Sequence, residues 1–355
     1  MRTILALLLV GSACGDNHVA GDANGSHDSA TDGTTIDGNP LTPDTLAGTG
    51  LCLDAGCQQI STDARAYTPR FALWSDGASK RRWIYLPPGT QIDTSDMNYW
   101  KFPIGTKLWK EFTRDGTRVE TRYIVKLADE GITSGTSWYY VSYAWNAAQD
   151  ATTAVTQGAM NVNGTQHDIP SRTDCRACHE RLAGPDHQRG RILGFGAIQL
   201  DTAGPSGGYD LATLVAENKL TVNPTGAAPY FPLTNLTAHE QTAYGYFHAN
   251  CGHCHNPTSQ VHDTVGLEFR LLTTALASGT TVPAYLTTVN VTEALGYPSL
   301  PLGSKIVVPH DTANSVLYQR MNDTNFIVYH MPALGTEMTD PTGTATIATW
   351  IGDLP

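Results

Sequence analysis

Four of the seven cysteines fall into two copies of one pattern, Cys-Arg-Ala-Cys-His at 175–179 and Cys-Gly-His-Cys-His at 251–255. Cys-x-x-Cys-His is the attachment signature of c-type haem. The spacing has a chemical reason. On a helical turn, residues i, i+3 and i+4 share a face. Cys251 and Cys254 can therefore add their S–H bonds across two haem vinyl groups while His255 offers a ring nitrogen to the iron. Cys175, Cys178 and His179 repeat the arrangement, so the expected cofactors are two covalently attached haem c groups. The structural alternative is a Cys₄ zinc site made from both cysteine pairs. The histidine that follows each pair favours haem.

Each iron then needs a group on its other face. For the second haem the candidate is Met331 in His-Met-Pro-Ala-Leu-Gly at 330–335, shortly before a terminal helix. A thioether ligand raises the reduction potential, and Pro332 stiffens the loop that carries it. His330 is the alternative from the same loop, and core filling is the ordinary use of a methionine. For the first haem no Met lies between His179 and Met321. His167, upstream in Gln-His-Asp-Ile-Pro, is the favoured ligand, weighed against a plain surface histidine. Met160, His187 and Met97 are the others. With none of them bound, that iron is five-coordinate and open to small ligands or peroxide.

The elements that must hold these groups are legible in outline. The run 237–250 reads as a helix leading into the second motif, with Thr237 and Glu240 as a capping box. A shorter helix is expected over 210–219. The terminal stretch 341–354 places Ile347, Trp350 and Ile351 on one helical face. Between 70 and 170 the pattern turns to strands, at 82–86, 107–112, 118–127 and 137–143, punctuated by Pro-Pro-Gly, Asp-Gly, Glu-Gly and Ser-Gly. Tyr123, Val125 and Leu127 alternate with Arg122, Ile124 and Lys126, the mark of a half-buried strand. Six of the seven Trp fall in this segment, and they are expected to fill a sandwich or barrel core. Lys80-Arg81-Arg82 reads as a solvated strand end, with docking of haem propionates or an acidic partner as the alternative. The fold class is therefore α+β: a β-rich, sandwich- or barrel-like N-terminal domain, then an α-helical domain resembling class I cytochrome c.

Composition narrows the setting. A chain of 355 residues suggests two domains after a tail. The net charge of -11 sits largely in Asp16, Asp22, Asp28, Asp32, Asp37, Asp44 and Asp54, in a stretch without Lys or Arg before Arg65. No basic stripe remains for phosphates, so nucleic acid is not an expected partner. Arg2, the apolar run 4–10 and Gly-Ser-Ala at 11–13 read as a signal peptide over 1–14. Leu-Val-Gly-Ser-Ala-Cys resembles a bacterial lipobox, with Cys14 as the lipidated residue and Gly11 where Leu is usual. Membrane contact is expected through that anchor alone, since no later apolar run is long enough to span a bilayer. Residues 15–60 read as a flexible Gly/Asp/Thr-rich tether, within which Cys52 and Cys57 form a small disulfide. The β-rich domain is expected at 61–170 and the dihaem region at 171–355. No nucleophile elbow, phosphate loop or His-Glu-x-x-His occurs. Asp93 and Asp96 read as a turn rather than a glycosidase pair.

The chain resembles a family of exported bacterial dihaem cytochromes with a β-rich region before a cytochrome c-like half. The resemblance is carried by Leu-Trp-Ser-Asp-Gly-Ala-Ser-Lys-Arg-Arg-Trp-Ile-Tyr-Leu-Pro from Leu73, Phe-Pro-Ile-Gly-Thr from Phe102, Val-Glu-Thr-Arg from Val119 and Tyr-Ala-Trp-Asn from Tyr143. It continues with Ile-Pro at 169–170 and the first haem motif. Asn-Cys-Gly-His-Cys-His-Asn-Pro from Asn250 and Met-Pro-Ala-Leu-Gly from Met331 complete it. It covers about 70–355 and implies haem binding and export rather than any substrate. The expected job is one-electron transfer between envelope redox proteins, with the Met331-ligated haem at the higher potential. The alternatives are a peroxidase-like oxidoreductase with an open first haem, with Glu180 or His187 nearest in sequence as acid or base, and a binding module tethered to a cytochrome.

Overall fold

The computed structural model describes residues 41–129, 137–181, 192–259, 261–325, 328–333 and 335–355. The signal segment, Cys14, the first part of the tether and the candidate ligand His187 lie outside the described residues.

Six strands form one antiparallel sheet in sequence order: β1 (Arg65–Ala66), β2 (Ser79–Tyr85), β3 (Lys107–Arg114), β4 (Thr117–Lys126), β5 (Trp138–Trp145) and β6 (Thr152–Val155). The expected strands are all present. The sheet is an open meander, however, and neither a sandwich nor a closed barrel. Its edges are the two-residue β1 and four-residue β6, short enough to offer little unpaired backbone. Coil and helix, rather than a second sheet, cover both faces.

One face packs Trp83, Trp109, Tyr123, Val125 and Tyr143 against Leu46, Leu51 and Cys57. Residues 41–60, expected as tether, are thus part of the folded body. The reason is their apolar content: Leu46 and Leu51 are almost fully buried. Tyr123 and Tyr143 donate their hydroxyls to the Leu41 and Pro43 carbonyls, and the expected Cys52–Cys57 disulfide staples the segment.

The other face packs Ile84, Leu108, Trp138 and Tyr140 against Phe195, Leu200, Leu211 and Leu214. The boundary expected at 170 is therefore not a packing boundary. Residues 192–220 return to the sheet, joined by backbone bridges from Tyr67 to Tyr209 and Ile92 to Leu220. The strand reading also needs correcting. Arg122 and Lys126 do not face water: Arg122 is half-buried, and Lys126 is buried with its Nζ donating to the Phe102 carbonyl at 2.7 Å. Both faces of β4 are covered, so alternation marked two environments inside the protein.

The helices are α1 (Arg172–Arg176), α2 (Ala197–Leu200), α3 (Leu211–Ala216), α4 (Ala238–Asn250), α5 (His262–Val265), α6 (Pro283–Thr288), α7 (Val316–Asn322) and α8 (Pro341–Asp353). α3 and α4 begin where capping residues predict, at Asp210 and at the Thr237/Glu240 box. α8 starts from Asp340, whose carboxylate accepts the Thr342 and Gly343 N–H groups. α4 and α8 pack Tyr244 and Phe247 against Ile347, Trp350 and Ile351, with Phe269, Leu271 and Val307 closing a separate core.

Candidate functional site

The second motif continues α4. Cys251 is the helix C-cap, and the His255 and Cys254 N–H groups both donate to the Cys251 carbonyl at 2.9 and 3.1 Å. This extra turn puts Cys251, Cys254 and His255 where the spacing predicted. Asn256, fully buried, holds the turn closed by donating its side-chain amide to the Gly252 and His253 carbonyls. Neither Cys251 nor Cys254 is in a disulfide. Burial, and then Cys254, push the Cys251 thiol up to about 12. Burial, with help from Arg320 and His262, lowers the His255 imidazole to about 4. At neutral pH the pair is a protonated thiol and a neutral imidazole, the forms that thioether formation and iron ligation require. His255 Nδ1 is buried without a hydrogen-bond partner, and the ring stands edge-on to Phe269 at 5.5 Å.

Arg320 ties the Met331 loop to this motif. Its charge acts on His255, while its carbonyl accepts the Met331 N–H at 3.1 Å. Met331 itself is half-buried. His330 is buried, and its Nδ1 sits 2.8 Å from the Asp323 carbonyl, which orients that ring from within the loop.

The first motif is built differently. Ser171 and Asp174 form a capping box for α1, and the chain then widens into a π turn over Ala177–Arg181. Cys175 lies in α1, and Cys178 and His179 lie in the π turn, where the helical phase changes. The His179 ring lies against Tyr140 at 5.4 Å between centroids. Burial pushes the Cys175 thiol up to about 11, against the pull of Arg122.

His167 is buried, so the surface-histidine alternative does not hold. Its Nε2 is 2.8 Å from Glu120 Oε1, and its ring lies 5.3 Å from Phe112. Glu120 also accepts from Arg122 at 2.5 Å. Burial alone would raise the Glu120 carboxyl, but Arg122 and the His167 hydrogen bond outweigh it and hold it at about 2. Nε2 faces the carboxylate, and Nδ1 is the ring nitrogen outside this contact. A carboxylate on the far ring nitrogen is the usual support of a metal-bound histidine. Of the other ligand candidates, Met160 is 57% exposed, and Met97 lines a separate cavity with Trp100 and Phe195.

The segment 71–80 runs from the start of the second motif towards the two candidate ligand histidines. The Trp74 N–H donates to Asn250 Oδ1, beside Cys251, and its indole donates to the Met338 carbonyl. Asp76 accepts the Glu337 and Met338 N–H groups, and its charge reaches both His167 and His330. The four motif cysteines do not assemble. No group of three or more His, Cys, Asp or Glu able to hold a metal ion occurs among the described residues, which leaves the zinc alternative without a ligand set.

Glu120, Arg122, Asp76, Asn256 and Arg320 are the site residues that motif reading did not find. Asn256 directly follows the second motif and the others act from distant elements; the signal available was the resemblance, whose stretches from Leu73, Val119 and Asn250 contain Asp76, Glu120, Arg122 and Asn256. No protein-family profile, curated protein or solved structure matches the chain.

Proposed function

We propose that the chain is a dihaem c-type cytochrome that carries single electrons in the cell envelope, exported and held to the membrane by a lipid on Cys14. Cys251, Cys254 and His255 hold the second haem, with Met331 as its sixth ligand. Cys175, Cys178 and His179 hold the first, with His167 opposite. Within the α+β fold, the helical half takes the role of a cytochrome c domain. The haems supply the redox chemistry; the protein sets ligands, burial and separation.

The observation that carries the reading is the doubled Cys-x-x-Cys-His on two local turns, with all four cysteines outside any disulfide. Asp76, within electrostatic reach of the ligand candidates His167 and His330, supports a reading in which electrons pass between the two centres. The peroxidase-like reading has one observation in its favour: His167, Glu120 and Arg122 form a buried acid–base cluster beside the first motif. If His167 does not ligate, that cluster is placed for proton transfer at an open iron.

Absorption spectra of protein matured with c-haem attachment machinery separate these readings. Two c-type haems whose reduced spectrum is unchanged by CO are expected for the carrier. CO binding at one haem favours the open site, and absence of covalent haem overturns the proposal.

A further inference from the structure

The sheet face towards the first motif carries an uncompensated row of positive charge. Strand register sets Arg82 opposite Lys110, Lys110 opposite Arg122, and Arg122 opposite Ser142. Four neighbouring strands thus contribute Arg, Lys, Arg and Ser side by side, at about 4.8 Å per strand. Lys80, one rung away on the same face of β2, adds a fourth cation. Like charges directly opposite one another destabilise a sheet. Among the described residues, Lys80, Arg82 and Lys110 have no salt bridge, and the one carboxylate on these rungs, Glu120, is taken by Arg122 and His167.

A second observation points the same way. Ser142 is 1% exposed, and its Oγ, at the end of the row, has no hydrogen-bond partner. The side chains of Arg82, Lys110 and Arg122 are nevertheless only half-buried. The row therefore keeps some exposure and is not sealed in a core. By contrast Arg81, on the opposite face of β2, pairs with Glu111. One strand thus has a compensated outer cation and uncompensated inner ones. Lys80 donates to the Leu73 carbonyl, and Lys110 and Arg122 lie over the Phe112 ring. Yet an orphaned hydroxyl beside cations without a carboxylate of their own, Arg82 and Lys110, fits an anion with several acceptor oxygens.

The first motif fixes which anion. α1 packs on β5, Arg172 donates to the Tyr140 carbonyl, and the Cys175 and Cys178 thiols act electrostatically on Arg122. A haem held by Cys175 and Cys178 would be joined at its vinyl edge to these cysteines and would carry its two propionates at the opposite edge of the macrocycle. Resting on the dihaem reading, we propose that Arg82 and Lys110, flanked by Lys80, are the seat of the two propionate carboxylates of the first haem. A free oxyanion such as phosphate offers similar chemistry and is the source to be excluded.

The test uses the holoprotein and an Arg82→Gln/Lys110→Gln double variant, with Arg82→Lys/Lys110→Arg as the charge-keeping version and Arg81→Gln as the outer-face control. Resonance Raman bands of the haem propionates are read alongside the potential of the first haem. The Gln variant should shift a propionate band and lower the potential by a tenfold change in equilibrium constant, about 59 mV for one electron. The charge-keeping pair should restore both, and Arg81→Gln should change neither. That rescue separates binding from a general loss of folding. Two haems with unshifted propionate bands overturn the inference and leave the cytochrome reading standing. So does a wild-type potential that responds to phosphate at constant ionic strength. A wild-type protein without covalent haem overturns both.

Discussion

At Glu120 a single carboxylate does three jobs. It neutralises Arg122, meets His167 Nε2 and stands close enough to Cys175 for their charges to interact. Its remaining oxygen, Oε2, is buried without a partner, so the site is satisfied in charge but not in hydrogen bonds. Removing one member of such a buried pair strands the other, typically at about 3–5 kcal/mol. Met331 is the other decisive single residue. In Met331→Ala the second haem is expected to lose its low-spin Met-ligated absorption signature, and its potential should fall because the thioether no longer favours ferrous iron. The fall should reach at least a tenfold change in equilibrium constant, about 59 mV. Redox titration of the two haems checks this, and an unchanged potential removes Met331 from the ligand set.

The elements bring these residues together through close approaches that only glycine allows. In α4, a Cβ on Gly245 would enter the Phe71 ring, and in α8 a Cβ on Gly343 would enter the Tyr246 ring. Phe71 begins the segment that meets Asn250 beside the second motif, and Tyr246 lies near Cys251. Overpacking of this kind costs about 1–3 kcal/mol. Gly245→Ala should therefore lower the unfolding free energy by that amount, read as a lower urea midpoint at unchanged slope. A slope change would mean that the helix–segment contact is not part of the cooperative fold. Neither glycine stands out in the sequence, where both sit in runs that read as ordinary helix.

Over the whole molecule, the sheet is covered from both ends of the chain. Residues 41–60 lie on one face, residues 192–220 on the other, and Cys175 of the first motif packs against the second of these clusters. The β-rich region is therefore not expected to stand alone. A fragment 61–170 exposes the surface normally met by Leu46, Leu51, Phe195, Leu200, Leu211 and Leu214. It should lack the near-ultraviolet circular dichroism of packed tryptophans. A fragment with a native-like spectrum and cooperative melting would contradict this account. The sheet also supplies His167's carboxylate partner and the cationic row, both outside the helical half, which is the part the sheet would play in the proposed carrier.

What the amino-acid sequence determined by itself is local. Cys-x-x-Cys-His fixes a turn because its partners lie within five residues. Thr237 with Glu240, and Asp210, start helices because a cap acts over one turn. Apolar alternation marks strands because successive side chains point to opposite faces. The Cys52–Cys57 bridge belongs to the same class. Tertiary structure alone decided the rest. Periodicity separates two faces but does not say what covers each, so Arg122 and Lys126 looked solvated when a distant segment buries them. The tether's end and the boundary at 170 were misplaced for the same reason, since burial depends on contacts far apart in the chain. The pairing of His167 with Glu120, and of Arg82, Lys110 and Arg122 across strands, follows from register. Register exists only once the sheet has formed.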